Sequence, residues 1–591
     1  MTRHSQVRWI ALGSLLAGVM VGAAQEAVSR NQLKEYDAEG PKTILELQQF
    51  RQAGSIRIKS RGGREGVATL INLNPAINAW FLLKVSWKDS FSELPFHLEN
   101  PEPHGRKLFL DEKYPAALVV SDGQNRFICD LFGGDALDQT KASRRIFDPV
   151  CEGRIYVRNA AAGRRTTLEA STEFLRDHVW GGEKIIELGH ILMGDANRET
   201  GKLDAEAGAA GRAQAGRPDD FPLPALIDSK YADRVLTSGN LGIDLGGPER
   251  KGMTPGAWYP AAGNAGLFIS ILQPNLINPA ILQSYKTTVN SLDSAESSAL
   301  SYLIAFDLDR FDLGFALGTE HPRVEWSNRI PAQNRDPALP GPDGIGSISP
   351  LIATGLVSPK EAGKTVATFT AGFKRTHGAF KYGDLALRNH GSHYGFIESG
   401  VVFSKLQPGL ATVFVLDDGT VEMKTWAEAD NKLLARIKHA RQNGVPLVEY
   451  NPARKEPAPG ALVRLWGPGN WSGSADEKLR TMRSGAALQT NQGKHFLIYA
   501  VFSTATPSAM ARVFQAYRCD YAMLLDMNAL EHTYLALYRR SGSQLLVEHL
   551  LKGMGVLDKS AAGELVPRFL GYPDNRDFFY VTQRNPKEVK P

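Results

Sequence analysis

Cysteine is scarce in this chain, with three in 591 residues. That number excludes a small disulfide-stapled scaffold, and the spacing of Cys129, Cys151 and Cys519 matches no zinc pattern. Blocks of basic residues are also missing. Lysine and arginine number 68 against 63 acidic residues, so a net charge of +5 is spread over the whole length, and no nucleic-acid partner is expected. Beyond the N-terminal segment no hydrophobic run reaches spanning length, which argues against a multi-span membrane protein. Familiar catalytic signatures are absent as well. Gly363-Lys364-Thr365 lacks the earlier glycine and the strand of a phosphate-binding loop, no Gly-x-Ser-x-Gly elbow occurs, and no dinucleotide fingerprint is present.

What is there reads as globular protein. The composition is 43% hydrophobic and 22% charged, and the length predicts about three or four domains. At the N-terminus, Arg3, His4 and Arg8 precede an apolar run from Ile10 to Ala24 that ends in Gly22, Ala23 and Ala24. This is the pattern of a secretory signal peptide over residues 1–24. The run is shorter than the roughly 20 apolar residues of a spanning helix, so membrane contact is expected only if the segment stays uncleaved as an anchor. A periplasmic or secreted location follows. In that oxidising setting Cys129 and Cys151 are expected to pair; the alternative is two buried thiols. Cys519, at the edge of an apolar run, reads as a buried and inert core residue.

The chain divides by its patterning. Residues 25–193 form a β-rich N-terminal domain, opening on a short helical pattern at Ile44–Arg51. Its strand-like segments include IRIKS, GVATLINL, AWFLLKVSW, AALVVS, RFICDLF and RIYVRN. A helix is predicted at Thr166–Val179, where Thr166 and Glu169 have capping-box spacing. Residues 194–222, rich in Gly, Ala and charge, read as a linker, and 223–297 as a Gly/Pro-rich connector around AGLFISILQPNLI. Residues 298–591 resume a strand rhythm, interrupted by helical patterns. The fold class read from this is α+β: a mixed β-sheet with packed helices in the C-terminal domain, plus the β-rich N-terminal domain.

One stretch stands out for chemistry, Tyr521–Tyr534 (YAMLLDMNALEHTY). An apolar strand delivers Asp526 at its C-terminal end, and a polar loop follows with Asn528, Glu531 and His532. Upstream, Thr506 can cap a helix that has Pro507 in its first turn and Met510, Val513, Phe514 and Tyr517 at helical spacing. Strand, helix and strand in so few residues predict a βαβ unit with Asp526 at a carboxyl edge.

The order of motifs here resembles the phosphodiester glycosidase family, over roughly residues 300–540. The resemblance rests on FTAGFK (Phe369–Lys374), VLDDGTVEM (Val415–Met423), RQNGVPLVE (Arg441–Glu449), RSGAAL (Arg483–Leu488) and TPSAMARVFQAYRCDYAMLLDMN (Thr506–Asn528). Two places depart from it: Thr370 and Ala371 stand in the family's Asn-Gly-Gly-Phe turn, and its Asp-Gly-Gly-Gly-Ser loop has become Asp526-Met527-Asn528-Ala529-Leu530. The resemblance implies an exported hydrolase acting on a sugar phosphodiester or related envelope glycan, with a carbohydrate or sugar-phosphate ligand. It carries the catalytic assignment to Asp526.

From the chemistry of the residues, Glu531 and His532 are candidates to share the acid and base work with Asp526. Arg441 and Arg483 are candidates to fork a departing phosphate, or else are structural ion pairs. Asn443, Thr370, Gly372, Asn528 and His393 complete the candidate binding set. No cofactor is expected.

Two alternatives come from different classes: a non-catalytic glycan-binding or envelope scaffold protein, and a metal-dependent hydrolase. The second would use His377, His390, His393 and Glu398, but His390 and His393 lack the i, i+4 spacing of a helical zinc motif, and no metal is expected. Trp326, Trp466 and Trp471 lie in segments rich in sugar-binding residue types and could equally be core.

Overall fold

The computed structural model describes residues 43–163, 199–204, 220–245, 252–321, 332–334, 351–373, 394–465, 479–542, 544–561 and 564–584. The signal-like segment, the helix pattern at Thr166–Val179, His377, His390, His393, Trp326, Trp466 and Trp471 lie outside these residues.

Period-two patterning governs the N-terminal part. Strands Gln52–Lys59, Glu65–Asn72, Trp80–Trp87, Glu93–Glu99, Ile155–Arg158 and Phe147–Val150 form one six-stranded sheet in that spatial order. In the strand Trp80–Trp87 alternation buries both faces. Phe81, Leu83 and Val85 join a core special to this sheet, whereas Trp80 and Leu82 belong to the large core shared with the rest of the molecule. A small sheet of Lys107–Phe109, Leu118–Ser121 and Arg126–Cys129 packs alongside, and Cys129 is bonded to Cys151 as a disulfide. Ile44 and Leu47, fully buried, sit on a run of tight turns instead of a regular helix.

Downstream of these sheets the expected helix-packed α+β architecture is not found. Strand accounts for 42% and helix for 13% of the described residues, and the framework is a set of antiparallel sheets. An eight-stranded sheet runs Tyr259–Pro260, Leu267–Leu272, Ser301–Asp307, Lys494–Ala505, Thr481–Asn491, Tyr521–Met527, Pro446–Asn451 and Glu456–Pro459. A five-stranded sheet contains Phe311–Ala316, Phe578–Gln583, Thr365–Thr370, Leu535–Ser541 and Gln544–His549, and another contains Val401–Ser404, Phe396–Glu398, Ile437–Gln442, Ala411–Leu416 and Val421–Thr425. Every ladder in these three sheets is antiparallel. For strands adjacent in sequence the physical reason is connection length. Turns such as Asp417–Thr420 are long enough for a hairpin and too short for the crossover that parallel neighbours require.

A helical crossover joins two of these strands. Strands Lys494–Ala505 and Tyr521–Met527 both pair antiparallel with Thr481–Asn491, so they run parallel to each other with that strand between them. The helix Pro507–Ala516 connects them. Thr506 Oγ1 accepts from Ala509 N at 3.3 Å, and Pro507 sets the first turn. Met510 and Phe514 press onto the sheet at Gly485, where a Cβ would lie 3.0 Å and 3.1 Å from their side-chain atoms. On its outer side Arg512 donates to the carbonyls of Ile281 and Ser284, at 2.7 Å and 2.5 Å, so the segment Pro279–Gln283 covers it. The outcome is a strand that carries Asp526 near its C-terminal end after a helical crossover; because its sheet is antiparallel, the expected carboxyl edge of parallel strands is not formed.

Candidate active site

Asp526 is the penultimate residue of the strand Tyr521–Met527 and is 2% exposed. Its backbone is pinned by the neighbouring strand: Asp526 N donates to Ser484 Oγ, and Ser484 Oγ donates to Asp526 O, both at 3.1 Å. The carboxylate accepts from Met527 N at Oδ1 (2.8 Å), while Oδ2 lies 2.6 Å from Arg576 Nη1. Such a charge-assisted contact fixes the direction of the carboxylate.

Arg576 was not among the residues singled out from the sequence. It belongs to the turn Asp574-Asn575-Arg576-Asp577, which precedes the strand Phe578–Gln583. Each member of the turn has a partner. Asp574 accepts a two-point contact from Arg568 (2.7 Å and 3.2 Å) as well as Arg576 N (2.9 Å). Asn575 Nδ2 donates to Glu320 Oε1 at 3.3 Å. Asp577 Oδ1 accepts from Gly318 N at 3.0 Å and lies 2.9 Å from His321 Nδ1, and its Oδ2 is 3.1 Å from Arg441 Nε. Burial works to raise the Asp577 carboxyl, yet His321 and Arg441 outweigh it and hold it below the usual aspartate range. The available sequence signal was alternating acid and base just ahead of the apolar run FFYV.

Of the residues expected from the sequence, Arg441 reaches this turn, and Asn443, Gly372 and Thr370 lie around it. Arg441, fully buried, donates from Nη2 to Phe373 O at 2.6 Å and from Nη1 to Gln442 O at 2.7 Å. Asn443 accepts from Phe373 N at 3.0 Å and donates to the carbonyls of Leu524 and Leu525, at 3.0 Å and 2.5 Å. Asn443 thus clamps the turn after Thr365–Thr370 to the strand that carries Asp526. Gly372 makes the clamp possible. Its φ is +153°, and a Cβ there would lie 2.8 Å from Asn443 Oδ1. Thr370 Oγ1 donates to His532 O at 2.7 Å, closing the other side.

The loop after Asp526 is packed in place. Asn528 adopts φ +90°, a backbone shape that glycine takes most easily, and donates from its N to Met482 O at 2.8 Å. His532 Nδ1 is 2.5 Å from Met527 O; a carbonyl only accepts, so Nδ1 carries the proton. Nε2 of the same ring is 3.8 Å from Glu531 Oε1, and Arg568 Nη1 donates to Glu531 O at 2.7 Å.

Arg483 lies on the Met527 side of this cluster. Its guanidinium donates to Ala505 O (2.7 Å), Leu479 O (3.0 Å) and Met527 Sδ (2.7 Å). Burial pushes it down to about 9, opposed by the charge of Glu296, so it remains cationic at neutral pH. Arg441 and Arg483 are both committed to protein acceptors. His393 lies outside the described residues, and among these no cluster of three or more His, Cys, Asp or Glu side chains forms a metal site.

No family model matches the chain, and no curated protein matches it. Among solved structures it is similar to the catalytic domain of zebrafish N-acetylglucosamine-1-phosphodiester alpha-N-acetylglucosaminidase, at 11% identity and TM-score 0.29, over 55% of this chain and 85% of that one. A hypothetical protein from Synechocystis matches at 10% identity and TM-score 0.25, over 90% and 97% of the two chains. A Burkholderia pseudomallei protein described as exported matches at 12% identity and TM-score 0.17, over 58% and 86%. Similarities of this size are distant and carry no argument about activity.

Proposed function

We propose that this protein is an exported hydrolase acting on a sugar phosphodiester or related envelope glycan, with Asp526 as its central carboxylate. The observation that carries the reading is the convergence on one buried cluster of Asp526, Arg441, Asn443, Thr370 and Gly372, distant in sequence, around the 2.6 Å Asp526–Arg576 pair. In this reading Asp526, oriented by Arg576, stabilises or attacks the oxocarbenium-like centre as phosphate departs. Glu531 and His532 share proton transfer, and Arg441 and Arg483 supply positive charge toward the phosphate. The Cys129–Cys151 disulfide accords with export, because such bonds persist in oxidising compartments. Among the described residues no helix is long and apolar enough to cross a membrane.

The test is turnover of a chromogenic sugar phosphodiester by the wild-type protein and by Asp526→Asn. A loss of roughly 100-fold or more in kcat is expected, the size of a removed charge-stabilising group. Equal turnover by the variant would falsify the role of Asp526.

A second reading is favoured by one specific observation, that Asp526, Arg441 and Arg483 are all at most 2% exposed and bonded to protein groups. This is a glycan-binding or envelope scaffold protein that keeps the network for rigidity. Glycan binding without turnover, retained in Asp526→Asn, distinguishes it.

A further inference from the structure

A separate cleft opens where the N-terminal six-stranded sheet meets the downstream sheets. About 520 Å³ of non-atom space lies in and over it, part of this open solvent, and polar groups from both sides line it. Arg158, from the N-terminal strand Ile155–Arg158, sits at its base with a side chain 1% exposed. The guanidinium lies flat on Trp80, 3.6 Å from the ring centre, so this tryptophan is a platform for the arginine and is no longer open to stack on a sugar.

The partners of Arg158 are placed beside it without closing on it. Glu99 Oε2 is 3.5 Å from Nε, Glu398 Oε1 is 3.7 Å from Nη2, and Thr354 Oγ1 is 3.5 Å from Nη2. Both carboxylates are drawn elsewhere: Glu99 Oε1 accepts from Ser358 Oγ, and Glu398 Oε2 accepts from Leu317 N at 3.0 Å. Nε and Nη1 of Arg158 are buried and hydrogen-bonded to no described residue. Buried guanidinium donors without an acceptor are costly, and a roomy polar cleft beside them is where an acceptor would be supplied.

Charge selects the kind of acceptor. Arg158, Lys360 and Lys438 line the cleft, against Glu99, Glu361 and Glu398. Burial lifts the Glu398 carboxyl to about 7, with Arg158 opposing and Glu99 and Asp577 adding to the rise. Below that pH the three cations therefore face two anions, and above it three. Burial lowers the Lys360 ammonium, with Glu361 and Glu99 opposing and Lys438 adding to the fall. His97 and His439 are pushed well below their usual range by burial and stay neutral, and burial raises Tyr580.

We propose that this cleft is a second ligand site, taking a small oxyanion, the phosphate or carboxylate group of a polar small molecule, on Arg158 with Lys360 as second cation. The bound anion would bridge the two halves of the molecule, because Arg158 comes from the N-terminal sheet and Lys360 from the helix Pro359–Ala362. Protonation of Glu398 opens the site, so binding strengthens as pH falls through about 7. This proposal shares no residue with the Asp526 cluster and stands independently of the activity proposed above.

The experiment is isothermal titration of the full chain with sulfate, whose charge is constant across the range, at about pH 6 and about pH 8. Binding at the lower pH and at least roughly three-fold weaker binding at the higher one is expected. Lys360→Met should lose roughly ten-fold, and Glu398→Gln should bind equally at both values. Inorganic phosphate and acetate, compared at the lower pH, tell a phosphate ligand from a carboxylate one. Lys360 is at the mouth, where its side chain is 24% exposed, so its variant should fold even if Arg158→Met does not. Absence of sulfate binding at millimolar concentration, or unchanged affinity in Lys360→Met, overturns the site. Equal wild-type affinity at both pH values overturns the role of Glu398.

Discussion

Asp526 Oδ2 lies 2.6 Å from Arg576 Nη1, and both side chains are at most 3% exposed. An ion pair at that depth is weak evidence of stability taken whole, yet removing one partner strands the other charge away from water. Arg576→Met should therefore cost about 3–5 kcal/mol of unfolding free energy. The double variant Asp526→Leu/Arg576→Met should cost clearly less than the sum of its single variants in urea unfolding. Additive losses would show that the two charges do not depend on one another.

Gly372 and Asn443 form a second testable pair. Gly372→Ala meets Asn443 Oδ1 at 2.8 Å in a backbone region that alanine avoids, and a loss of about 1–3 kcal/mol is expected. Asn443→Ala leaves Phe373 N and two strand carbonyls without their partner, which should cost about 2–3 kcal/mol. Combined, the two losses should fall short of their sum, because the clash in Gly372→Ala disappears with the Asn443 side chain. Chemical denaturation of the three variants decides it.

Glu398 predicts a pH dependence of stability. Its folded value, about 7, stands above the ordinary 4.5, so the folded protein keeps a proton that the unfolded chain releases. The sign follows: this contribution is complete below about pH 4.5 and is lost as pH rises through about 7, to a total of about 3 kcal/mol. Glu398→Gln cannot ionise. Its stability relative to wild type should rise across that interval and level off above it, measured by urea midpoints in a pH series. A difference independent of pH would refute the assignment.

The Cys129–Cys151 bond closes a loop with a sequence separation of 22. Replacing both cysteines by alanine should cost about 3 kcal/mol, most of it by loosening the unfolded chain. Cys519 is fully buried, and burial pushes its thiol up. It should resist a thiol reagent in the native protein and react only on unfolding. Rapid labelling of the native protein would contradict this placement.

Local pattern decided a good deal by itself. Strand-like patterning located Glu65–Asn72, short apolar runs located Ser301–Asp307 and Tyr521–Met527, and the Thr506-Pro507 start located the helix after Lys494–Ala505. The disulfide pairing was legible because only two cysteines were close enough in a β-rich block to meet. The strands and the helix depend on neighbours within a few residues, where side-chain spacing and backbone preference act directly.

Tertiary structure alone decided the rest. Whether strands were packed by helices or paired into antiparallel sheets depended on which distant strands met, and alternation does not encode a partner. Asp526 was visible at a strand end, but its counter-ion Arg576 comes from a turn 50 residues later in the chain. Arg441 and Arg483 read from the sequence as phosphate forks or as structural ion pairs, and only the fold showed which carbonyl and carboxylate acceptors stand at bonding distance. The cleft around Arg158 is assembled from residues as far apart as Trp80 and Tyr580. A buried charge takes its role from whatever the folded chain brings within a few ångströms, and sequence spacing carries no record of that.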